Sequence, residues 1–251
     1  MVRILLIGCN GRMGQAITLA AKDRSDLAIV AGVDIHPTNL NSYPIYADIA
    51  NVQETVDVVI DFSHPSGAEK ALQYAVASRL PIVMATTGLE EAQLALLREA
   101  SAHTAVLRSA NMSLGVNLLM ELAQKAAKVL YKSWDMEIIE KHHNQKLDAP
   151  SGTALAIAEA MNEAIADVDM TYVHGRHGKA EKRTRQEIGI HAVRGGTIPG
   201  EHTVLFAGQD EVIELQHTAL SRSIFAEGAL SAALFLAGKA PGLYGMRDLF
   251  A

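Results

Sequence analysis

Arg3-Ile4-Leu5-Leu6-Ile7-Gly8-Cys9-Asn10-Gly11-Arg12-Met13-Gly14 is an apolar run that breaks into three glycines with the spacing Gly-x-x-Gly-x-x-Gly. Arg3 to Ile7 reads as a buried strand and Met13 to Lys22 as a helix, so the glycines fall in the turn between them. The same rhythm continues downstream. Leu27 to Asp34, Val56 to Asp61, Pro81 to Met84 and Thr104 to Leu107 read as strands, with helices over Ser66 to Ser78 and Glu90 to Ser101. Near-continuous apolar strands separated by helices predict a doubly wound parallel sheet covered on both faces. The rhythm then changes. Long helical patterns span Ser113 to Leu130 and Ser151 to Ile165, and a strand spans Trp134 to Glu140. Three closely spaced strands follow, Ile188 to Val193, His202 to Phe206 and Val212 to Gln216, before a last helix over Ser223 to Leu236. Close strands with Gly-rich turns predict a mixed or antiparallel open sheet in a second, α+β domain, with the boundary near Asn111.

Composition limits the functional classes. The chain has 251 residues, 49% of them hydrophobic, which is ample for a packed core. A net charge of -6 argues against a nucleic-acid binder held by bulk electrostatics, although it leaves room for an anionic ligand met by local positive charge. Cys9 is the sole cysteine, so no internal disulfide forms. The apolar runs are too short for a signal peptide or a membrane span, and the expected location is the cytoplasm. The charge run Arg176 to Arg185 reads as a solvated, mobile loop. No aromatic side chains are interleaved for stacking on bases.

Small residues at Gly8, Gly11 and Gly14 let the backbone turn sharply and approach a pyrophosphate, while the following helix start offers free N–H groups and a positive dipole end. This is the Rossmann context for a dinucleotide. Asp34 ends the second strand about 20 residues beyond the glycines, where an acid holds the adenosine ribose hydroxyls. Ile35 and His36 bring no guanidinium to a 2′-phosphate, so the expected preference is NADH, with NADPH as the second candidate. Cys9, inside the phosphate loop, reads as a small filler rather than a nucleophile. Asp61-Phe62-Ser63-His64-Pro65 and Ala85-Thr86-Thr87-Gly88 lie at strand C-terminal ends, where they either make ordinary turns or wall the nicotinamide ribose.

The densest chemistry is Glu140-Lys141-His142-His143-Asn144-Gln145-Lys146-Leu147-Asp148-Ala149-Pro150-Ser151-Gly152-Thr153. Two histidines and two lysines within six positions are costly to bury together, so this loop is expected to face a cleft or solvent. Ser151 is a good N-cap, and a helix starting at Ser151, Gly152 and Thr153 offers a carboxylate site beside cationic proton sources. The alternative is a plain polar turn before a capped helix. Zinc on the adjacent histidines lacks a second ligand cluster, and no metal is expected.

These residues resemble the dihydrodipicolinate reductase family. The likeness runs through Gly11-Arg12-Met13-Gly14, Asp61-Phe62-Ser63, Thr86-Thr87-Gly88, Ser109-Ala110-Asn111-Met112-Ser113, His142-His143 to Thr153, Arg194-Gly195-Gly196, Gly200-Glu201-His202 and Pro241 to Asp248. It implies reduction of a cyclic, unsaturated dicarboxylate by NAD(P)H in the diaminopimelate route to lysine. His142 and Lys146 would be the proton-donor positions. His143 would bind substrate, and Ser151, Gly152 and Thr153 would hold a carboxylate. Cofactor contacts would fall on Gly8, Cys9, Asn10, Gly11, Arg12, Met13, Asp34, Ala85, Thr86, Thr87, Ser109, Ala110, Asn111 and Met112. The likeness also implies a homotetramer built through the second sheet, residues 222–251 returning to a first domain of residues 1–111, a substrate domain over 112–221, and hinge closure between them. Where many relatives carry Glu-Arg, this chain has Asp34-Ile35. Two rival readings are another Rossmann dehydrogenase of amino-acid metabolism, acting on aspartate or diaminopimelate, and an NAD-binding redox sensor. The histidine-lysine loop favours the reductase.

Overall fold

The computed structural model describes residues 1–38, 41–179 and 182–250. The chain forms two compact units: residues 1–114 together with the chain from Arg222 onward, and Gly115–Ser221.

The first unit holds seven parallel strands: β1 (Val2–Ile7), β2 (Leu27–Val33), β3 (Ile45–Tyr46), β4 (Val58–Asp61), β5 (Ile82–Met84), β6 (Ala105–Arg108) and β12 (Gly242–Tyr244), in the order β12-β6-β5-β4-β1-β2-β3. Alternation along β1 explains its unbroken apolar run. Ile4 and Leu6 enter one core, with Val58 and Ile60, under helices α1 (Arg12–Ala21) and α6 (Ser223–Leu236). Leu5 and Ile7 enter the other, with Val59, under α2 (Pro65–Ser78) and α3 (Glu91–Ala100). Strand order reverses at β1, so the ends of β1, β2 and β4 form the crevice in which open α/β sheets bind ligands. The Ala-rich α6 packs closely. A Cβ on Gly228 would fall 1.7 Å from the Met112 carbonyl oxygen, so only glycine fits there.

The second unit contains most of α4 (Leu114–Leu130), then β7 (Asp135–His142), α5 (Gly152–Ala164), β8 (Thr171–His174), β9 (Glu187–Arg194), β10 (Gly200–Ala207) and β11 (Val212–Ala219). Sheet order is β11-β10-β7-β9-β8. β9 runs parallel to β7 and β8, and β10 runs antiparallel to β7 and β11. This is the expected mixed sheet. Met136, Ile138, Val204 and Phe206 face a core shared with α4 and α5. Among the described residues, no helix is long and apolar enough to cross a membrane.

Three features depart from expectation. The two-residue β3, the three-residue β12 and the four-residue β8 are strands that no sequence period marks. β7 continues two residues past Glu140, so His142 is a buried strand residue and not part of the loop. The loop itself is shorter, and its backbone is tied to the Gly195–Gly196 turn by Gly195 N–H to His142 O (2.9 Å) and Asn144 N–H to Gly196 O (3.2 Å). The charge run is not simply solvated, although Ala180 and Glu181 lie outside the described residues. Arg183 lies across the sheet face opposite the helices and donates to Glu137 (2.9 Å), Asp135 (2.9 Å) and the carbonyls of Met136 (2.9 Å) and Glu187 (2.8 Å). Arg176 joins Glu187 at 2.8 Å. The guanidinium groups find convergent acceptors on a sheet, a feature that composition alone does not display.

Candidate active site

In the first unit the glycine turn is built from close backbone approaches. A Cβ on Gly14 would lie 2.2 Å from the Gly8 carbonyl oxygen, and one on Gly8 (φ +78°) would lie 2.7 Å from that of Phe62. Gly11 is the N-cap of α1 and offers no side chain to cap it. The N-terminus of α1 is therefore left to a ligand, as an anion cradle requires. Arg12 and Met13 form its first turn. Cys9 points into the core against Gly32, and burial, helped by the Asp34 charge, pushes its thiol up to about 11. It acts as a filler, and any contact it makes to a cofactor is through its backbone.

Asp34 follows β2 directly. Its carboxylate accepts from the N–H of Asn10 (2.9 Å) and of His36 (3.0 Å), so the loop after β1 and the loop after β2 are joined through one side chain. The Asn10 amide adds bonds to the carbonyls of His36 (2.6 Å) and Thr38 (3.1 Å). A cavity of about 610 Å³ opens beside this joint, lined by Gly8, Asn10, Gly11, Asp34, Ile35 and His36 and by His64, Ser66 and Lys70 from the start of α2. The glycine cradle, the uncapped helix and the oriented carboxylate fit a dinucleotide. His64 belongs to the Asp61–Pro65 loop that the sequence offers as a wall of the cofactor site, whereas nothing local marks Lys70; only the fold brings α2 to this wall.

The remaining predicted contacts gather at the ends of β5 and β6. Ala85 is buried and donates its N–H to the Asp61 carbonyl (3.0 Å). The Thr86 hydroxyl turns inward to the Asp61 carboxylate (3.1 Å), whose carboxyl is pushed up by burial against the opposing bonds from Ser63 and Thr86. Asp61 thus ties the two loops together from below, leaving Thr87 exposed at the rim. Ser109 accepts from the Asn111 N–H (3.2 Å) and donates to the Asn111 carbonyl (2.7 Å), shaping the turn through the exposed Ala110 to the buried Met112.

In the second unit the core-facing positions of β7 end in two polar residues, Glu140 and His142, on the same strand face. Register places Arg194 of β9 opposite His142, and His202 of β10 opposite Glu140. The fully buried Glu140 carboxylate accepts a bidentate pair from Arg194 (2.7 and 2.7 Å) and the N–H of Ser151 (3.0 Å), and it meets His142 Nδ1 at 2.6 Å. Burial alone would raise its carboxyl. Arg194, His142 and the Ser151 N–H more than offset that and hold it below the ordinary glutamate value. Ser151 caps α5 as its position predicts, accepting from Ala154 N–H at 3.1 Å, and its hydroxyl lies 3.0 Å from His202 Nε2. Burial, with the nearby charge of His142, pushes His202 down to about 4, so it is neutral at pH 7. His142 and His202 meet edge to face at 5.2 Å.

Lys146 lies in the turn after His143 and pairs with Asp148 at 2.8 Å. Half-buried His143 follows the strand, and Gly152 and Thr153 open α5. The fold thus brings His142, Ser151 and Glu140 into direct contact, with Lys146, His143, Gly152 and Thr153 on the flanking turns. The sequence reading missed Arg194 and His202 as site residues. The Arg-Gly-Gly and Gly-Glu-His stretches were the available signal, but without register neither says what it touches.

Comparison with known proteins settles the family. A family model described as dihydrodipicolinate reductase, N-terminus, matches residues 2–112, and one described as dihydrodipicolinate reductase, C-terminus, matches residues 115–250. The chain belongs to the dihydrodipicolinate reductase family. Membership makes it a reductase that works with a nicotinamide cofactor. Among its relatives, the 4-hydroxy-tetrahydrodipicolinate reductase of Caldanaerobacter subterraneus subsp. tengcongensis is 51% identical over 249 residues, 99% of this chain and 98% of the relative. That of Clostridium tetani is 48% identical, covering 98% and 96%. A solved dihydrodipicolinate reductase from Paenisporosarcina sp. TG-14, with dipicolinate bound, superposes with a TM-score of 0.80 at 25% identity over 99% of both chains. A DAP dehydrogenase from C. glutamicum covers 100% of this chain and 95% of its own with a TM-score of 0.60 at 14% identity, a likeness of fold alone.

Proposed function

We propose that the chain reduces 4-hydroxy-tetrahydrodipicolinate, by way of dihydrodipicolinate, to tetrahydrodipicolinate in the diaminopimelate route of lysine biosynthesis. One observation carries the reading within this family: the N-terminus of α5, capped by Ser151, is joined through the Glu140 carboxylate to His142, so a carboxylate site and a proton source share one frame. The bound reduced nicotinamide supplies a hydride. Reduction of the conjugated C=C–C=N unit also needs a proton, a role we assign to His142 and Lys146. Ser151, Gly152 and Thr153 bind a substrate carboxylate at the helix start, with His143 beside them. Gly8, Gly11, Arg12 and Met13 hold the pyrophosphate. Asp34 takes the ribose hydroxyls, and the turns at Ala85 to Thr87 and Ser109 to Met112 border the nicotinamide side.

We further infer that NADH is preferred. The Asp34 carboxylate, fixed by two backbone N–H groups, stands where a 2′-phosphate would bring like charge. Lys70 lines the same cavity, so the preference is one of degree rather than exclusion. The family likeness supports a cytoplasmic homotetramer joined through the five-stranded sheet. Light scattering behind size exclusion tests the tetramer, and a monomer in solution refutes it.

The test of function is absorbance at 340 nm, with substrate made in place from pyruvate and aspartate semialdehyde by the preceding enzyme. Oxidation that depends on substrate and runs faster with NADH is expected. A folded, NADH-binding protein that oxidises neither cofactor would overturn the assignment.

A further inference from the structure

We propose that Glu140 is the positioning residue of this site: its buried carboxylate fixes His142 with the proton on Nδ1, leaving Nε2 as the nitrogen presented for chemistry, and anchors that ring to the N-terminus of α5. The proposal rests on the reading of His142 as a proton donor: with Nδ1–H held by Glu140, the ring delivers its proton from Nε2 as the imidazolium and returns to the Nδ1–H form.

The argument is one of donors and acceptors. Glu140 Oε1 meets Arg194 and the Ser151 N–H, and Oε2 meets Arg194 and His142 Nδ1. Guanidinium and backbone N–H groups can only donate. Three obligate donors around a fully buried carboxylate leave it ionised and acceptor-only, so the hydrogen in the fourth contact sits on imidazole Nδ1. The opposite ring nitrogen then points away from the network. A Cβ on Gly200 would fall 3.1 Å from His142 Nε2, so the absence of a side chain there keeps the approach to Nε2 clear. A pair serving stability alone would need only Arg194. Here the same carboxylate also holds the N–H of Ser151, the N-cap of α5, and Arg194 reaches on to the Asp148 carbonyl at 2.6 Å. One anion therefore sets the distance between the proton source and the proposed carboxylate site, as the orienting acid does in hydrolytic triads.

Glu140→Gln is the informative change. Its amide nitrogen must face either Arg194 with Ser151, or Arg194 with His142. Only His142 can convert from donor to acceptor, so the variant should carry its His142 proton on Nε2. Nitrogen-15 spectra of the imidazole rings in the whole enzyme, with His142 assigned by its loss in His142→Gln, read this directly. Wild type is expected to show Nδ1 protonated. Glu140→Gln is expected to show the switched ring, with kcat lowered roughly 10- to 100-fold and KM for NADH within about twofold of wild type. A wild-type His142 carrying its only proton on Nε2 overturns the proposal, and this measurement decides even if the variant fails to fold. A folded Glu140→Gln with kcat within about twofold of wild type also overturns it. Absence of wild-type turnover would instead overturn the functional reading beneath it, so the two failures are distinguishable.

Discussion

Asp34 and Glu140 are both carboxylates at the ends of strands, and they are held in opposite ways. Asp34 is half-exposed and, among the described residues, bonded by backbone N–H groups, those of Asn10 and His36. Glu140 is fully buried and bonded chiefly by side chains, those of Arg194 on β9 and of His142 on its own strand. The cofactor site is thus made of main chain shaped by glycines, and the proton site is made of side chains brought together by register. A backbone-built site tolerates changes of side chain but not of backbone volume. A register-built site tolerates neither the loss of one partner nor its charge, because its buried groups bond one another.

Changes at each site should separate them. Lys146→Ala should lower kcat on the order of 100-fold or more while leaving NADH affinity within about threefold, read by steady-state kinetics and fluorescence titration. Equal losses in both would break the division between the sites. Gly14→Ala should do the reverse. Its methyl would overlap the Gly8 carbonyl, costing about 3 kcal/mol of stability and weakening NADH at least about tenfold, measured by thermal unfolding and titration.

The buried network should also give acid sensitivity of a definite sign. His202 is held near 4 in the folded chain against an ordinary value of 6.5, so between these values the unfolded chain binds more protons. Stability should therefore fall by ~2–3 kcal/mol as pH drops from 7 to 4.5, seen in urea unfolding, and His202→Asn should remove most of that slope. The smallest effect is expected at Asp34→Ala. KM for NADH should rise about tenfold with that for NADPH little changed, and an equal rise in both would remove Asp34 from cofactor choice.

The same contrast explains what could be read beforehand. The glycine turn, Asp34 and the Ser151 cap depend on residues near one another in the chain, so spacing displays them. The Arg194–Glu140 pair joins residues 54 apart through the β7–β9 register, which no local pattern encodes. Lys70 reaches the dinucleotide cavity only because α2 packs where the parallel sheet puts it. Thr86 was correctly placed at a strand end, yet its hydroxyl turns inward to Asp61, since a buried carboxylate needs that donor. Arg183 looked like a solvated charge because composition cannot show that a sheet face offers it two carboxylates and two carbonyls.

The seat of Gly228 against the Met112 carbonyl has a consequence in time. The ribosome makes the glycine turn before α6, which packs over Ile4, Leu6, Val58 and Ile60 and follows only after the inserted unit. Until α6 and β12 emerge, one side of the nascent sheet is covered in part, by α1, and β6 lacks its outer neighbour β12. The N-terminal segment therefore waits, half-dressed, through the synthesis of the whole inserted unit. Premature termination anywhere before Leu236 should yield a sticky fragment for proteases and chaperones rather than a small working nucleotide-binding domain.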